Sequence, residues 1–523
     1  MAETKKIQRA LISVSNKAGI EKLSSALHSM GVQIISTGGT LKAIKDAGIA
    51  AVSVSTFTGA PEIFAGRVKT LHPKIHAGIL FRRDVQDDVD ELARLDYRRI
   101  DLVVANLYPF EETVARQGVT DQEAIENIDI GGPSMLRAAA KNFSAVTVIV
   151  DPADYDPLIK QMEENGGVTD MSFRRCCAQK VFQHTSRYDT AINAYFETST
   201  SDGSADFPSI LSTSYVLRDH LRYGENPHQK AALYEQPGYQ AQSLLRADTL
   251  SGKELSYNNY NDLDACLGLL LEFDQPFACL LKHANPCGAA VGDDIAVAYQ
   301  RAYKSDPLSA FGSIIGLNRT VDIECAKALH ETPFVECILA PGFDDDAFSL
   351  LKKKKNRRIL ALPEISNGRT AGLSVHRQIS GGLLVQTADD CETVEAELKV
   401  VTKRTPSDEQ IRDLLFAWKV VKHTKSNAIV LAKGGATVGI GMGQTSRVDS
   451  SFMAVKRAGD RASGAVMASD AFFPMPDGVE VATEAGVCAI IQPGGSKGDE
   501  QVIEAADKAE AAMVFTGKRH FKH

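Results

Sequence analysis

The sequence predicts an α/β protein of two or more domains whose first part is a parallel sheet with helices on both faces. Three observations carry that expectation. The chain has 523 residues, more than one core ordinarily serves, because single hydrophobic cores stop growing at roughly 250–300 residues. Its opening stretch alternates between apolar runs of period two and apolar stripes of period 3.6, the pattern of strand–helix–strand repetition. Between Glu197 and Pro208 large apolar residues become scarce and Thr, Ser, Asp and Gly take over, which is the composition of a linker.

Taken in order, Arg9–Val14 reads as the first strand. Ile20, Leu23, Leu27 and Met30 then recur at helical spacing, and Gly31 ends that helix. Gln33–Ser36 is a second strand, Leu41–Ala47 a second helix closed by Gly48, and Ala51–Val54 a third strand. Leu102–Asn106 and Ala145–Val150 complete the first part. The linker places a domain boundary at 199/200, giving domains 1–199 and 200–523. Beyond it the pattern is mixed α/β again, with strands at Ile314–Leu317, Ala428–Leu431 and Cys488–Ile491. Ser407 and Gln410 have capping-box spacing ahead of an apolar stripe of Ile411, Leu414, Leu415, Trp418 and Val421, a core-packing helix. The basic run Lys352–Arg358 reads as a solvated loop. No internal sequence repeat is visible.

Composition narrows the function classes. Hydrophobic residues at 44% and charged residues at 24% describe a globular chain rather than a disordered one. A formal net charge of −8 argues against coating nucleic acid, which needs a broad basic face, but leaves small anionic substrates open. Nine cysteines without any Cys-x-x-Cys fit free thiols in a reducing compartment. Met1–Lys6 leads into no apolar secretory stretch, and the most apolar region, Ala265–Leu281, is broken by Glu272 and Asp274. The expectation is a cytoplasmic protein with no membrane span.

Two loops in the first part stand where a strand gives way to a helix: Ser13-Val14-Ser15-Asn16-Lys17 and Ser36-Thr37-Gly38-Gly39-Thr40. Unpaired N–H groups and the helix dipole favour a phosphate at such places. Arg67-Val68-Lys69-Thr70-Leu71-His72-Pro73 offers two cations which, in an extended segment, point the same way. Asn106–Phe110, Ile128–Gly132 and Lys141 within Ala138–Asn142 follow. Each alone reads equally well as a capped turn or a surface charge. Together they recur at successive strand ends, where open α/β sheets gather ligands.

In the second part Arg222–Gln229 packs a cation, an aromatic ring, a carboxylate and an imidazole into eight residues. Lys282-His283-Ala284-Asn285-Pro286-Cys287-Gly288 emerges from the apolar run Phe277–Leu281. His283 is a proton shuttle suited to neutral pH and Lys282 a cation suited to an oxyanion. A satisfied core histidine is the ordinary alternative. Other motifs fail on inspection. Pro286-Cys287 lacks the second cysteine of a zinc deaminase, since position 290 is Ala. His72 and His76 are separated by Pro73 and lack a partner Glu. Gly439–Gln444 lacks the last glycine of a dinucleotide fingerprint, and no phosphate-binding loop of ATP-driven enzymes exists.

These segments, together with Lys425–Asn427, Gly443–Arg447, Ser469–Pro474 and Arg519–Phe521, resemble across nearly the whole chain the bifunctional purine biosynthesis enzymes. Those enzymes join phosphoribosylaminoimidazolecarboxamide formyltransferase to inosine monophosphate (IMP) cyclohydrolase. The resemblance implies a methylglyoxal-synthase-like N-terminal doubly wound parallel sheet that closes the ring. It implies a C-terminal region of two cytidine-deaminase-like α/β/α units, without zinc, that transfers the formyl group. It further implies 10-formyltetrahydrofolate as co-substrate, no catalytic metal, and a homodimer whose transferase sites lie between subunits. Carried over by motif, Ser15, Lys17, Ser36, Thr37, Gly38, Gly39, Thr40, Arg67, Thr70, Asn106 and Gly131 would hold the nucleotide. Lys69, Tyr108, Asp129 and Lys141 would surround the closing ring. Arg222, Tyr223, Gly312, Glu336, Asn427, Arg447 and Arg519 would bind the aminoimidazole nucleotide beside Lys282 and His283. Glu336 stands where some relatives have Asp. Phe472, Asp477, Gly494 and Gly495 would lie near the folate. The reading requires Lys69 and Lys141 to converge, and Lys282 and His283 to lie outside any sealed apolar interior. Two rivals stay open here: one active domain fused to an inactive one, and a nucleotide sensor without turnover.

Overall fold

Five of the period-two runs become strands of one sheet: β1 (Arg9–Val14), β2 (Gln33–Ser36), β3 (Ala51–Ser53), β4 (Leu102–Asn106) and β5 (Thr147–Ile149). They pair parallel throughout, in the order β3-β2-β1-β4-β5. Leu11, Ile12, Val103, Val104 and Val148 are all buried, the near-continuous burial expected of a parallel sheet covered on both faces. The order reverses between β1 and β4, and their register pairs Val14 with Asn106. The two strand ends are therefore level, and a crevice opens between them.

Several boundaries differ from the sequence reading, as where β5 keeps only Thr147–Ile149 of the stretch 145–150, and two of them do so for evident local reasons. β3 stops at Ser53 because that hydroxyl caps a short helix, Val54–Thr58, by accepting the Thr56 N–H. The second helix spans Gly38–Asp46 rather than starting at Leu41, so the Gly-Gly-Thr stretch is its first turn.

The computed structural model describes residues 6–116, 118–200, 207–239, 241–367, 370 and 372–523. It divides into units Met1–Ser214 and Tyr215–His523. Residues 201–206, within the expected linker, lie outside the described residues. The helix Met171–Thr200 runs through the expected boundary at 199/200.

The second unit contributes a hairpin of β6 (Val216–Leu221) and β7 (Ala231–Glu235), then β8 (Asp248–Ser251), β9 (Phe277–Lys282), β10 (Asn285–Val291), β11 (Ser313–Leu317), β12 (Val335–Ala340) and β13 (Arg358–Ala361). A second hairpin, β14 (Ser374–Ile379) and β15 (Gly382–Thr387), precedes β16 (Lys399–Val400), β17 (Ile429–Lys433), β18 (Ala436–Gly441), β19 (Val466–Ser469), β20 (Ala489–Gln492) and β21 (Ala512–Phe515). Outside the hairpins, twelve strands form one sheet in the order β16-β21-β20-β19-β17-β18-β10-β9-β11-β12-β13-β8.

That order contains a duplication which no sequence repeat had announced. β10-β9 is an antiparallel pair followed by β11 antiparallel to β9, with β12 and β13 parallel to β11. β18-β17 repeats it with β19, β20 and β21. The two halves meet at β10 and β18. The helices Tyr257–Leu270 and Asp408–Lys422 cover one face of the sheet and open with matching capping boxes, Ser256/Asn259 and Ser407/Gln410, 151 positions apart. On the other face the helices Ile295–Ser305 and Arg447–Ala458 press onto glycines of β10 and β18. A Cβ on Gly288 would collide with the Ala302 carbonyl, and one on Gly439 with that of Ala454.

The basic run is a solvated turn at Lys352, Lys353, Lys355 and Asn356, as expected, but its other members are engaged with the fold. Lys354 Nζ donates to the carbonyls of His330 and Thr332 at 2.7 and 2.9 Å, closing the end of the helix Ile323–Glu331. Arg357 is buried and donates to Leu329 O at 3.1 Å, while Arg358 on β13 pairs with Glu336 at 2.6 Å.

A buried cluster joins the two covering helices. Glu272 Oε1 meets Lys422 Nζ at 3.0 Å and His423 Nε2 at 2.9 Å, and Lys419 donates to the Glu272 carbonyl at 2.7 Å. His423 and Lys422, although burial opposes it, hold the Glu272 carboxyl down to about 2, and burial takes the His423 imidazole down to about 4. Both depressed groups contribute stability that is complete above their ordinary ranges and is lost as acid protonates them.

Two stability measurements test this packing. Gly439→Ala places a methyl against backbone and is expected to cost the second unit about 1–3 kcal/mol, read as a lower urea midpoint. The same midpoint in the unsubstituted chain is expected to fall as pH drops from 6.5 toward 4, where His423 is forced to charge, and further below 4.5 as Glu272 protonates. A flat profile between pH 6.5 and 4.5 would contradict a neutral buried imidazole.

Candidate functional site

In the first unit the ends of β1, β2 and β4 are tied together by short polar side chains. Asn106, the last residue of β4, accepts the backbone N–H groups of Ser15 and Asn16 at 2.6 and 2.9 Å and donates to Asn16 O at 3.0 Å. Thr40 accepts from Val14 N and donates to Val14 O, Ser36 donates to Ile12 O at 2.7 Å, and Ser13 and Thr37 share a hydrogen bond of 3.0 Å. The hydroxyls of Ser36 and Thr40 are therefore buried braces rather than groups that reach a ligand. What faces outward is Lys17, lying over Gly39, and the start of the helix Gly38–Asp46, whose Thr37 N-cap makes no side-chain cap hydrogen bond. Uncapped N–H groups beside a cation suit a phosphate.

Across the crevice Asp129 receives the Gly132 N–H at 2.8 Å and the backbone N–H of Tyr108, with the Lys69 charge nearby. Burial outweighs these and pushes its carboxyl above the ordinary range, as befits a proton carrier. Tyr188 holds the segment by accepting from Asp129 N at 2.7 Å and donating to Asn127 O at 3.1 Å. A Cβ on Gly131 would lie 2.7 Å from Thr70 Oγ1, so Thr70 sits against the start of the helix Gly131–Lys141.

One expectation is corrected here. Arg67 does not lie in an extended segment: at φ −62° and ψ −31° it continues the tight turn Phe64–Gly66, so strand alternation does not set its direction relative to Lys69. Arg67 pairs with Glu126, while Lys69 acts on Asp129. Lys141 is exposed at the last position of the helix that starts at Gly131. At 1.5 Å per residue its Cα lies about 15 Å along the axis from the helix end beside Asp129.

In the second unit one edge of the large sheet collects the candidates, with strand starts and the β9–β10 turn from the first half and strand ends from the second. His283 and Ala284 form that two-residue turn, and both are left-handed, at φ +54° and +56°. Each such residue costs on the order of 1–2 kcal/mol. His283 is exposed and Lys282 half-buried, with Lys282 Nζ donating to Phe311 O at 3.0 Å. Gly312, at φ +74°, donates to Phe334 O at 2.9 Å. Two residues on, Glu336 holds Arg358, and Arg358 lines a cavity of about 760 Å³ with Arg222, Tyr223, Lys253, Glu254 and Tyr260. Asn285 accepts the Lys425 N–H at 3.0 Å, which brings Asn427 to the same edge.

Arg447 is buried, donating to Ser469 Oγ and Asn427 Oδ1 at 2.8 Å each and pairing with the fully buried Asp470. Asn427 and Glu336 are similarly engaged, with Gln444 O and Arg358. These residues shape the edge from within. Arg519 is exposed, its guanidinium 4.7 Å from the Phe521 ring centre. Phe472 and Asp477 are exposed beyond β19, and Gly494 and Gly495 turn the chain after β20 at φ +71° and +92°.

Sequence reasoning missed Asp262 and Asp413, whose carboxylates hold the turns after β9 and β17. Asp262 accepts the Ala284 N–H at 2.7 Å and also the His283 N–H. Asp413 accepts those of Gly434 and Gly435 at 2.6 Å each. The signal was present as Ser-x-x-Asn/Gln-x-x-Asp in both halves, at 256–262 and 407–413.

Comparison with known proteins accounts for both units. A family model described as the AICARFT/IMPCHase bienzyme matches residues 139–457, and one described as an MGS-like domain matches residues 19–134. The bifunctional purine biosynthesis protein PurH of Thermoanaerobacter sp. (strain X514) is 51% identical over 516 residues, covering 99% of this chain and 100% of its own. Those of Halalkalibacterium halodurans and Bacillus cytotoxicus are 51% and 50% identical, again over 99% of this chain and 100% of theirs. With an N-terminal MGS-like domain and relatives matched along their full length, this chain belongs to the bifunctional purine biosynthesis family that unites aminoimidazolecarboxamide ribotide formyltransferase with IMP cyclohydrolase.

Proposed function

We propose that the two activities of this enzyme are divided between its units, formyl transfer in the second and ring closure in the first. The enzyme itself formylates aminoimidazolecarboxamide ribotide and cyclises the product to IMP. The observation that carries the division is the presence of two separate anion-receptive edges. One is the β1/β4 crevice with Lys17, Lys69 and Asp129. The other is the sheet edge with Lys282 and His283.

In the transfer, the substrate amine is a weak nucleophile conjugated to its ring. As its nitrogen bonds to the formyl carbon of 10-formyltetrahydrofolate, His283 takes the amine proton and Lys282 faces the tetrahedral oxyanion. Breakdown then expels the folate nitrogen, which is protonated as it leaves. Arg222, Tyr223 and Arg519 supply exposed groups for the nucleotide. Phe472, Asp477, Gly494 and Gly495 give the folate a place beside it. Asn427, Arg447 and Glu336 act by holding that edge in shape. The chemistry calls for no catalytic metal, because protein cations and a proton shuttle cover the developing charges.

Ring closure is intramolecular. The carboxamide nitrogen adds to the formyl carbon and water is lost, so the main requirement is to hold the two groups together while protons move. Lys17 and the uncapped helix start anchor the phosphate, with Ser15, Thr37, Gly38, Gly39, Asn106, Thr70 and Gly131 forming the walls. Asp129, Lys69 and Tyr108 surround the reacting atoms. The reading extends to two deaminase-like halves within the second unit, supported by its duplicated topology, and to a homodimer, supported by Leu308 at 87% and Phe311 at 58% exposure near Lys282. No helix among the described residues is long and apolar enough to cross a membrane, in keeping with a cytoplasmic enzyme.

Assaying the two steps separately tests the division. His283→Ala is expected to lower formyl transfer by about 10²–10⁴-fold while supplied formylated nucleotide still cyclises. Asp129→Asn is expected to do the reverse. Loss of both activities in either well-folded variant contradicts separate sites, and nucleotide binding without turnover in the unsubstituted chain contradicts catalysis altogether.

A further inference from the structure

We infer that Asp262 is the positioning residue for the formyl-transfer proton acceptor: its carboxylate latches the turn that fixes where the His283 imidazole stands. The inference rests on the reading of His283 given above. Two consecutive left-handed residues are what a two-residue hairpin turn demands, and glycine or asparagine ordinarily supply them. Here they are His283 and Ala284, whose Cβ atoms crowd the following carbonyls in that conformation. Something outside the turn must hold it. Asp262, on the helix Tyr257–Leu270, takes both backbone N–H groups, that of Ala284 at 2.7 Å. The turn is further pinned by Asn285, whose Nδ2 donates to His283 O at 3.0 Å and whose Oδ1 accepts from Lys425 N. Burial raises the Asp262 carboxyl above the ordinary range, against the pull of its N–H partners and of His283 and Lys425.

The duplicated half supplies the comparison. Asp413 holds the turn Gly434-Gly435, at φ +59° and +73°, through the same pair of N–H bonds. In both halves the carboxylate precedes its turn by 21 residues, and equivalent positions lie 151 apart. Glycine reaches the left-handed region unaided, so that turn is stable chemistry-free backbone. The first half places an imidazole at the first central position and a methyl at the second. It departs from glycine where a side chain is needed to meet substrate, and the latch is what keeps the departure in place.

Steady-state formyl transfer by the full-length enzyme tests this, with ring closure as the internal control for folding. Asp262→Ala is expected to lower kcat about 100-fold, the loss typical of a misplaced reacting group, with KM for the nucleotide changed little. Adding Ala284→Gly, which lets the turn form without a latch, is expected to restore most of the lost kcat. Asp413→Ala is expected to lower the urea midpoint and leave kcat unaltered. Undiminished kcat in Asp262→Ala, or a loss that Ala284→Gly does not relieve, would overturn the inference. His283→Ala is measured alongside. Full activity there removes the proton-acceptor reading itself, whereas loss there with an unaffected Asp262→Ala removes the positioning role alone.

Discussion

A strand that ends leaves backbone N–H and C=O groups without a ladder partner, and a buried or half-buried one must find another. Short polar side chains meet that demand throughout this enzyme. Asn106 takes two N–H groups of the loop after β1, Asp129 those of Gly132 and Tyr108, Asp262 and Asp413 those of the hairpin turns, and Asn285 that of Lys425. The loops at the strand ends are thereby held rigid without being buried. The same side chains that satisfy the backbone decide where Lys17, Lys69, Lys282 and His283 project.

Charge is handled differently at the edges and in the interior. At the edges each cation keeps access to solvent and so to an incoming anion. Inside, charges are paired or hydrogen-bonded: Arg447 with Asp470, and Glu272 with Lys422 and His423. A buried ion pair is weak evidence of net stability, but removing one partner strands the other in a medium that cannot solvate it. The Glu272 cluster joins the covering helices of the two halves, on the face opposite the contacts of Arg457 with Asp306 and of Arg461 with the carbonyls of Lys304 and Ser305.

Much of this was legible from residue order. β1, β2 and β4 stand at their predicted positions because period-two apolar runs bounded by polar turns admit few alternatives, and the Ser407/Gln410 capping box opens the helix it predicts. Composition placed the candidate residues at strand ends. Direction was not legible. Whether Arg67 and Lys69 share a partner depends on Phe64–Gly66 being a turn, and that Lys141 lies one helix length from Asp129 depends on where that helix starts. The basic run 352–358 looked solvated throughout because charge alone does not reveal that Lys354 and Arg357 have carbonyls within reach at a helix end. The duplication stayed hidden because it survives in capping residues, latching carboxylates and close-packed glycines rather than in continuous similarity.

The sheet's pseudo-symmetry bears on the proposal that only one of the two latched turns carries chemistry. β10 and β18 run antiparallel, so the halves are related by a two-fold rotation that sends equivalent elements to opposite edges. The β9–β10 turn lies beside Lys425 and Asn427, where the second half presents the ends of β19, β20 and β21. The β17–β18 turn lies at the far edge, where Gly435 O takes the Val291 N–H at the end of β10. An edge that combines a turn from one half with parallel strand ends from the other has both a fixed side chain and open backbone to receive a ligand. The far edge has its own turn too, but as Gly-Gly it projects no side chain. Backbone strain in the first-half turn is therefore tolerable because it is confined to two residues, opposed by a carboxylate that the fold already supplied to the unstrained copy.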